Sequence, residues 1–177
     1  MVPEKAIVTV DAINCQKETA MAVIGGGGDY VFALKGNQGR MNEEARLYLD
    51  EIASQTSAEV EKIEKGHGRL EIRQYWQSDK IKRFADLKQW PGSKIFGMVN
   101  STREMSDDQV TEERHYYISS LSKGEDLFSE AVRACWGVEN KVLLCLDVIF
   151  GEDQNRARSK YASTNPSTLR KMVFNIL

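Results

Sequence analysis

The chain has 177 residues, of which 41% are hydrophobic and 28% charged, so it can bury the core of one domain and has an ordinary soluble composition. No apolar run approaches the ~20 residues needed to cross a bilayer, and residues 1–9 lack the layout of a secretory signal, so we expect a cytoplasmic protein with no membrane contact. The formal net charge of −2 argues against a nucleic-acid binder, because contacts with phosphates require Lys and Arg.

The first elements form a strand, a helix and a second strand. Residues 6–10 are apolar and β-branched and end at Asp11, which predicts a buried strand. Residues 17–24 have helical spacing and stop at the glycines of residues 25–28, and residues 30–34 predict another buried strand. Such a βαβ unit implies two parallel strands joined by a crossover helix.

The middle of the chain changes from helical to strand patterning. Residues 38–52 predict an amphipathic helix, and a hairpin is expected to turn at residues 66–68. Residues 94–101 and 111–120 predict two further strands, joined by a polar, exposed linker at 103–109. This order predicts an α/β protein with an inserted antiparallel β subdomain.

The last part of the chain is predicted to be helical. Ser122 or Asp126 can cap a helix that runs to about Leu146, and another helix is expected after Pro166. The predicted domain boundaries are residues 1–58 for the core, 59–121 for the β-rich insertion and 122–177 for the helical return to the core.

Basic residues are concentrated in two stretches. Residues 65–94 hold 8 basic and 3 acidic side chains, and residues 140–177 hold 6 and 3. One positive face beside an acidic metal site would give such a pattern, but so would many unrelated proteins. The three cysteines (Cys15, Cys135 and Cys145) are odd in number and show no paired spacing, so we expect buried free thiols.

Two acids are candidates for metal-dependent chemistry. Asp11 directly follows a predicted parallel strand, where ligands of α/β sheets gather, and Glu139 lies in the last helical pattern. Paired carboxylates from a strand end and a helix can hold Mg²⁺ or Mn²⁺ for phosphoryl transfer. Asp11 can equally cap a turn, and Glu139 can be a solvated helix residue, so the pattern leaves both possibilities open.

Several basic and amide side chains are candidates for contacts with DNA, although each can also lie in a solvated turn or on a solvated face. They are Lys35, Asn37 and Gln38 after the second strand, His67, Arg69 and Arg73 around the predicted hairpin turn, and Arg156 and Arg158 near the end of the chain.

Motifs along almost the whole chain resemble the ISAs1-type transposases, which include the H-repeat-associated proteins. In the first half these motifs are residues 8–12 (VTVDA), 15–17 (CQK), 28–31 (GDYV), 33–38 (ALKGNQ) and 66–69 (GHGR), followed by Glu71 and Arg73. In the second half they are residues 136–140 (WGVEN), 146–148 (LDV), Phe150 and 152–158 (EDQNRAR). Together, in this order, the motifs are highly specific.

The resemblance implies a DDE transposase with an RNase H-like core, in which three acids bind two divalent metals. It implies that Asp11 is the second acid and Glu139 the third, with the β-rich insertion between them. The implied activity is metal-dependent DNA cleavage and strand transfer, with transposon ends and target DNA as partners.

Three departures from the family pattern lead us to expect a truncated, impaired chain. The first acid would lie upstream of residue 1, Cys135 stands where the family usually has histidine, and Leu143 and Leu144 replace a His-Trp pair. A core without its first strands would expose a sheet edge, so we expect a homodimer that covers that edge.

Two alternatives stay open. One is a non-catalytic DNA-binding or dimerisation remnant of a decayed mobile element, whose DNA binding would ignore Asp11 and Glu139. The other is a stand-alone metal-dependent nuclease, in which Asp147, Glu152 or Asp153 replaces the missing acid.

Overall fold

The computed structural model describes residues 6–10, 15–66, 69–84, 86–105, 109–124 and 126–138. The strands are β1 (Ile7–Val10), β2 (Asp29–Leu34), β3 (Val60–Gly66), β4 (Arg69–Ser78), β5 (Ile95–Met105) and β6 (Val110–Ser119). The α-helices are α1 (Lys17–Gly25), α2 (Gly39–Gln55) and α3 (Leu127–Val138), and short 3₁₀ turns span Gly36–Gln38, Lys80–Arg83 and Asp86–Gln89. Tertiary contacts divide the chain into the units Met1–Val132 and Arg133–Leu177, and only the end of α3 is described in the second unit.

The βαβ unit is present as predicted. β1 and β2 pair in parallel with Val8 opposite Tyr30, and α1 connects them. α1 ends at the glycine run, where Gly27 takes a φ of 77° and the Gly26 N–H donates to the carbonyl of Ala22. The left-handed backbone at Gly27 is costly for any residue with a Cβ, which explains why the helix stops here.

All six strands form one sheet in the order β1-β2-β6-β5-β4-β3. β2 pairs antiparallel with β6, with Phe32 opposite Ile118, so the antiparallel strands of the middle segment continue the parallel pair. The α/β class and the antiparallel pairing are therefore confirmed. The domain boundaries and the RNase H-like character of the core stay predictions.

One face of the sheet packs against α1 and α2. Strand alternation places Phe32, Ile118 and Phe96 in one row across three strands, and all three side chains are fully buried. The helices contribute Ala20, Val23, Met41, Ala45 and Leu49 to the same core. Burial of this apolar surface is the main favourable term for folding.

The opposite face packs against the start of α3. Phe128 is fully buried, and its ring makes edge contacts with Tyr75 at 6.4 Å and Tyr117 at 5.8 Å between ring centroids. Gly97 lies opposite Tyr117 on β6 and opposite Gln77 on β4, two residues along the strand from Tyr75. A Cβ at Gly97 would overlap the Phe128 ring, so the close approach of α3 requires glycine there.

The prediction of a linker at residues 103–109 is wrong for residues 103–105, which belong to a strand. β5 runs to Met105 and pairs with β6, with Arg103 opposite Thr111 and Glu104 opposite Val110. Polar residues can continue a strand when a neighbouring strand supplies the backbone hydrogen bonds, and the local pattern does not reveal that partner.

The hairpin of β3 and β4 is confirmed by its register, in which Gly66 lies opposite Arg69. The helix predicted to follow Ser122 or Asp126 begins at Leu127 and is confirmed as far as Val138. Its expected continuation to Leu146, the helix after Pro166 and the charged stretch 152–158 lie outside the described residues.

Candidate functional site

The carboxyl ends of the two parallel strands lie side by side. Val10 is opposite Phe32, and β2 ends two residues later at Leu34, directly before Lys35. Asp11 follows Val10 in the sequence but lies outside the described residues. Because ligands of α/β proteins gather at the carboxyl ends of parallel strands, this end of β1 and β2 is the candidate site.

The turn after β2 is tied to the segment that follows β1. Gln38 is half-buried, and its Nε2 donates a 2.8 Å hydrogen bond to the backbone carbonyl of Cys15. The Cys15 side chain is fully buried, and burial raises the pKa of its thiol to about 12. The prediction of a free, buried thiol is confirmed for Cys15, whereas Cys135 is free but half-buried and Cys145 lies outside the described residues. Gln38 therefore positions two chain segments next to the strand ends.

A shallow polar pocket of about 280 Å³ lies beside this turn. It is lined in part by Lys17, Gln38, Arg40 and Asp86. Arg40 Nε lies 3.2 Å from Glu44 Oε1 and 3.6 Å from Asp86 Oδ2, and Lys17 Nζ donates a 2.6 Å hydrogen bond to Gln89. Two cations thus line the pocket, each already engaged with an acceptor.

His115 on β6 is influenced by charged side chains of both signs. β6 extends past the end of β2, so His115 lies beyond the last residue pair of those strands, Leu34 with Tyr116. Burial lowers the pKa of His115, Lys35 and Arg103 lower it further, and Glu113 opposes them from 3.6 Å. A negatively charged ligand near Lys35 and Arg103 would relieve this positive charge and raise the pKa of His115.

A buried ion network occupies the same face of the sheet on β4 and β5. Arg73 is 3% exposed, and its guanidinium lies 2.7 Å from Glu71 and 3.2 Å from Glu64. Glu71 also accepts from Arg103 Nε at 3.1 Å and from Ser101 Oγ at 3.4 Å. Breaking a buried network of this kind leaves an uncompensated charge, so it constrains the arrangement of β4 and β5.

The predicted site residues are only partly brought together. Exposed Lys35 and half-buried Gln38 share the turn after β2, with Asn37 between them in the backbone. Arg73 lies three strands away, where two carboxylates hold its buried guanidinium. Of Arg69 only the backbone position at the start of β4 is described. The remaining predicted residues, Glu139, His67, Arg156 and Arg158, lie outside the described part of the chain.

His115 and Arg103 were not among the predicted site residues, and Glu71 was named only as part of a family motif. His115 shares a face with Tyr117 two residues later, so strand alternation within the predicted strand 111–120 could have placed it toward the partly covered face. Arg103 was assigned to a linker. Glu71 lies 32 residues earlier in the chain, so no local sequence signal indicates that its carboxylate contacts Arg103.

Within the described ranges, no group of three or more His, Cys, Asp or Glu side chains is placed to hold a metal ion. No helix in the same ranges is long and apolar enough to cross a membrane.

These features define a mixed α/β protein with a parallel βαβ unit extended by four antiparallel strands. The Escherichia coli K12 proteins named "Putative protein YbfL" and "H repeat-associated putative transposase YhhI" are each 37% identical to the chain over 177 residues, covering 97% of this chain and 47% of theirs. "Putative transposase YncI" of Escherichia coli O157:H7 is 32% identical over 179 residues, covering 98% of this chain and 46% of its own. Over nearly its whole length, the chain is therefore similar to proteins named as putative transposases, one of them H repeat-associated.

The chain spans just under half the length of these three relatives, 46–47% of each. No family model matches the chain, and no solved structure matches it.

Proposed function

We propose that the chain is part of a DDE-type transposase that cuts and joins DNA with the help of divalent metal ions. The observation that carries the proposal is the relationship to proteins named as transposases over 97–98% of this chain. The parallel βαβ unit supports it, because it would place Asp11 at the sheet end where ligands of α/β proteins gather. An RNase H-like core is part of the same proposal.

Asp11 and Glu139 are the proposed metal ligands, with Mg²⁺ or Mn²⁺ as the metal. A divalent ion bound by carboxylates neutralises charge that develops on the oxygens of a reacting phosphodiester. Asp and Glu carboxylates are the hard oxygen ligands that these ions prefer. The proposed ligands are distinct from the network at Glu71, whose carboxylate is already engaged by two arginines.

Lys35 and Gln38 are the proposed DNA contacts beside the carboxyl ends of β1 and β2. Lys35 is exposed at the end of β2, and its charge influences His115 on the neighbouring strand. A lysine at this place can contact a phosphate, while Gln38 keeps the turn in position through its bond to Cys15. Asn37, His67, Arg69, Arg156 and Arg158 are proposed to add contacts along the DNA. Arg73 is assigned a supporting role, because its guanidinium is buried between carboxylates.

The metal proposal is tested by calorimetric titration of the 177-residue chain with Mn²⁺. The Asp11→Asn, Glu139→Gln variant should lose the binding heat, since it removes both charges at nearly constant shape. The Glu43→Gln, Glu112→Gln variant removes two exposed charges elsewhere and should titrate like wild type. Equal binding by wild type and the Asp11, Glu139 variant would exclude these residues as the metal ligands.

DNA binding is tested by fluorescence anisotropy with a labelled duplex at several salt concentrations. Lys35→Ala should weaken binding and reduce the slope of log K against log salt by about 1, as expected for one lost phosphate contact. Lys80→Ala, on the 3₁₀ turn after β4, is the control and should leave the slope unchanged. DNA binding that ignores Lys35, Asp11 and Glu139 would favour the alternative of a non-catalytic DNA-binding module.

A further inference from the structure

The outer strand β3 carries a charge order that is complementary to itself. β3 is the last strand of the sheet order, and its central residues are Glu61, Lys62, Ile63, Glu64 and Lys65. In the described part of the chain it pairs with β4 on one side only. An open strand edge offers backbone groups to another strand, and proteins usually protect such edges with charges that discourage pairing.

An antiparallel copy of β3 centred on Ile63 would match every charge with its opposite. Glu61 would face Lys65 of the second copy, and Lys62 would face its Glu64, each pair occurring twice about the two-fold axis. Residues directly opposite in an antiparallel pair point to the same face, and opposite charges there are stabilising. A run of charges of one sign would repel a second copy, whereas this order attracts one.

The apolar residue at the centre of the strand supports the same register. Ile63 is 57% exposed and lies directly opposite half-buried Ile72 of β4. Pairing about Ile63 would bring the two Ile63 side chains together and form a continuous row of four isoleucines across the joined sheets. Exposed apolar surface of this kind is removed from water by such an arrangement.

The charged side chains of β3 remain at least partly exposed although two of them contact residues of β4. Glu64 is 40% exposed on its side chain while its Oε2 lies 3.2 Å from Arg73, and Glu61 accepts a 2.8 Å hydrogen bond from Gln74. Glu61 and Lys65 are exposed, and Lys62 is half-buried. The carboxylates are therefore partly oriented by β4 before a second copy arrives.

We propose that β3 is a homodimerisation edge, at which two copies of this chain pair antiparallel about Ile63 to form one continuous sheet. The interface is isologous, because the same strand is used by both copies. A seven-residue strand pair is small beside a standard interface, so we expect a weak, concentration-dependent dimer. The proposal does not depend on the metal site or on DNA binding.

The test is sedimentation velocity of the 177-residue chain over a concentration series up to about 500 µM, a range that resolves weak association. Wild type should show a monomer–dimer equilibrium that weakens at high salt, because the proposed pairs are exposed ion pairs. The Lys62→Glu, Lys65→Glu variant should dimerise at least about tenfold more weakly, since four attractive cross-strand pairs become repulsive. Its thermal melt should match that of wild type, which controls for folding.

A second variant tests the register. Glu61→Lys, Glu64→Gln makes the edge basic, so it should not pair well with itself but should associate with the Lys62→Glu, Lys65→Glu variant when the two are mixed. A monomeric wild type over the whole range, a dimer unaffected by Lys62→Glu and Lys65→Glu, or no association of the mixed variants would overturn the proposal.

Discussion

Gly97 on β5 lies directly under the ring of Phe128, so closely that any Cβ at position 97 would overlap that ring. Phe128 stands in the first turn of α3, the helix that precedes Glu139 in the sequence. The contact therefore sets how the start of α3 is seated on the sheet, between Tyr75 and Tyr117.

Gly97→Ala should destabilise the protein by about 1–3 kcal/mol, the usual cost of overpacking a dense core. The loss of free energy of unfolding is measured by urea denaturation. Adding Phe128→Leu should recover part of the loss, because a smaller side chain makes room for the new methyl group. Effects that simply add would show that the two residues do not share the same space.

Glu71→Gln should lower the free energy of unfolding by about 3 kcal/mol, because it removes the negative charge that pairs with the buried guanidinium of Arg73. The value lies at the low end of the range for broken buried pairs, since Glu64 remains beside Arg73. Glu112→Gln on β6 is the matched control: its side chain is 51% exposed and pairs with exposed Arg114, so the loss should be far smaller. Similar losses in both variants would contradict the structural role assigned to Glu71.

Stability should fall as the pH is lowered through the range just below the ordinary histidine pKa. Burial lowers the pKa of His115 in the folded chain, so the unfolded chain takes up a proton more readily there. The contribution of neutral His115 to the free energy of unfolding is fully present above about pH 6.5, the ordinary histidine pKa. It decreases as the pH falls from there toward the lowered pKa of the folded chain. His115→Gln should flatten this part of the profile, which is measured as the free energy of unfolding from urea denaturation at a series of pH values.

The same histidine reports on ligand binding. The chain has two histidines, so His67→Gln leaves His115 as a single signal for pH titration by nuclear magnetic resonance. We expect its pKa below 6.5 in the free chain, and higher when DNA neutralises the positive charge of Lys35 and Arg103. An unchanged pKa at saturating DNA would separate His115 from the DNA-binding surface.

Gln38→Ala should make Cys15 react faster with a thiol reagent. The substitution removes the 2.8 Å bond from Gln38 to the Cys15 carbonyl, worth about 0.5–1.5 kcal/mol, so local opening should become roughly two- to tenfold more frequent. The rate is measured in a Cys135→Ser, Cys145→Ser background. Gln89→Ala removes an exposed bond to Lys17 and should leave the rate unchanged. Equal rates with and without Gln38 would show that its bond does not hold the segment closed.

Local sequence patterns determined the elements of this protein whose signals lie within a few neighbouring residues. β1, α1 and β2 follow from short β-branched runs separated by a helix and a glycine stop, and their parallel pairing follows from the crossover connection. The hairpin at Gly66 and the helix from Leu127 were predicted in the same way. The resemblance to transposases also came from the sequence, because it depends on several motifs that occur in a fixed order along the chain.

Only the tertiary structure decided how the middle strands join the core and which charges are buried. The pairing of Phe32 with Ile118 links residues 86 positions apart, and the continuation of β5 to Met105 depends on β6 as its hydrogen-bonding partner. Arg73 was predicted to contact DNA as one of the basic residues around the hairpin turn, yet its guanidinium is buried beside the carboxylates of Glu64 and Glu71. Such contacts depend on strand register, which is set by packing over the whole sheet and cannot be predicted from a short segment of the sequence.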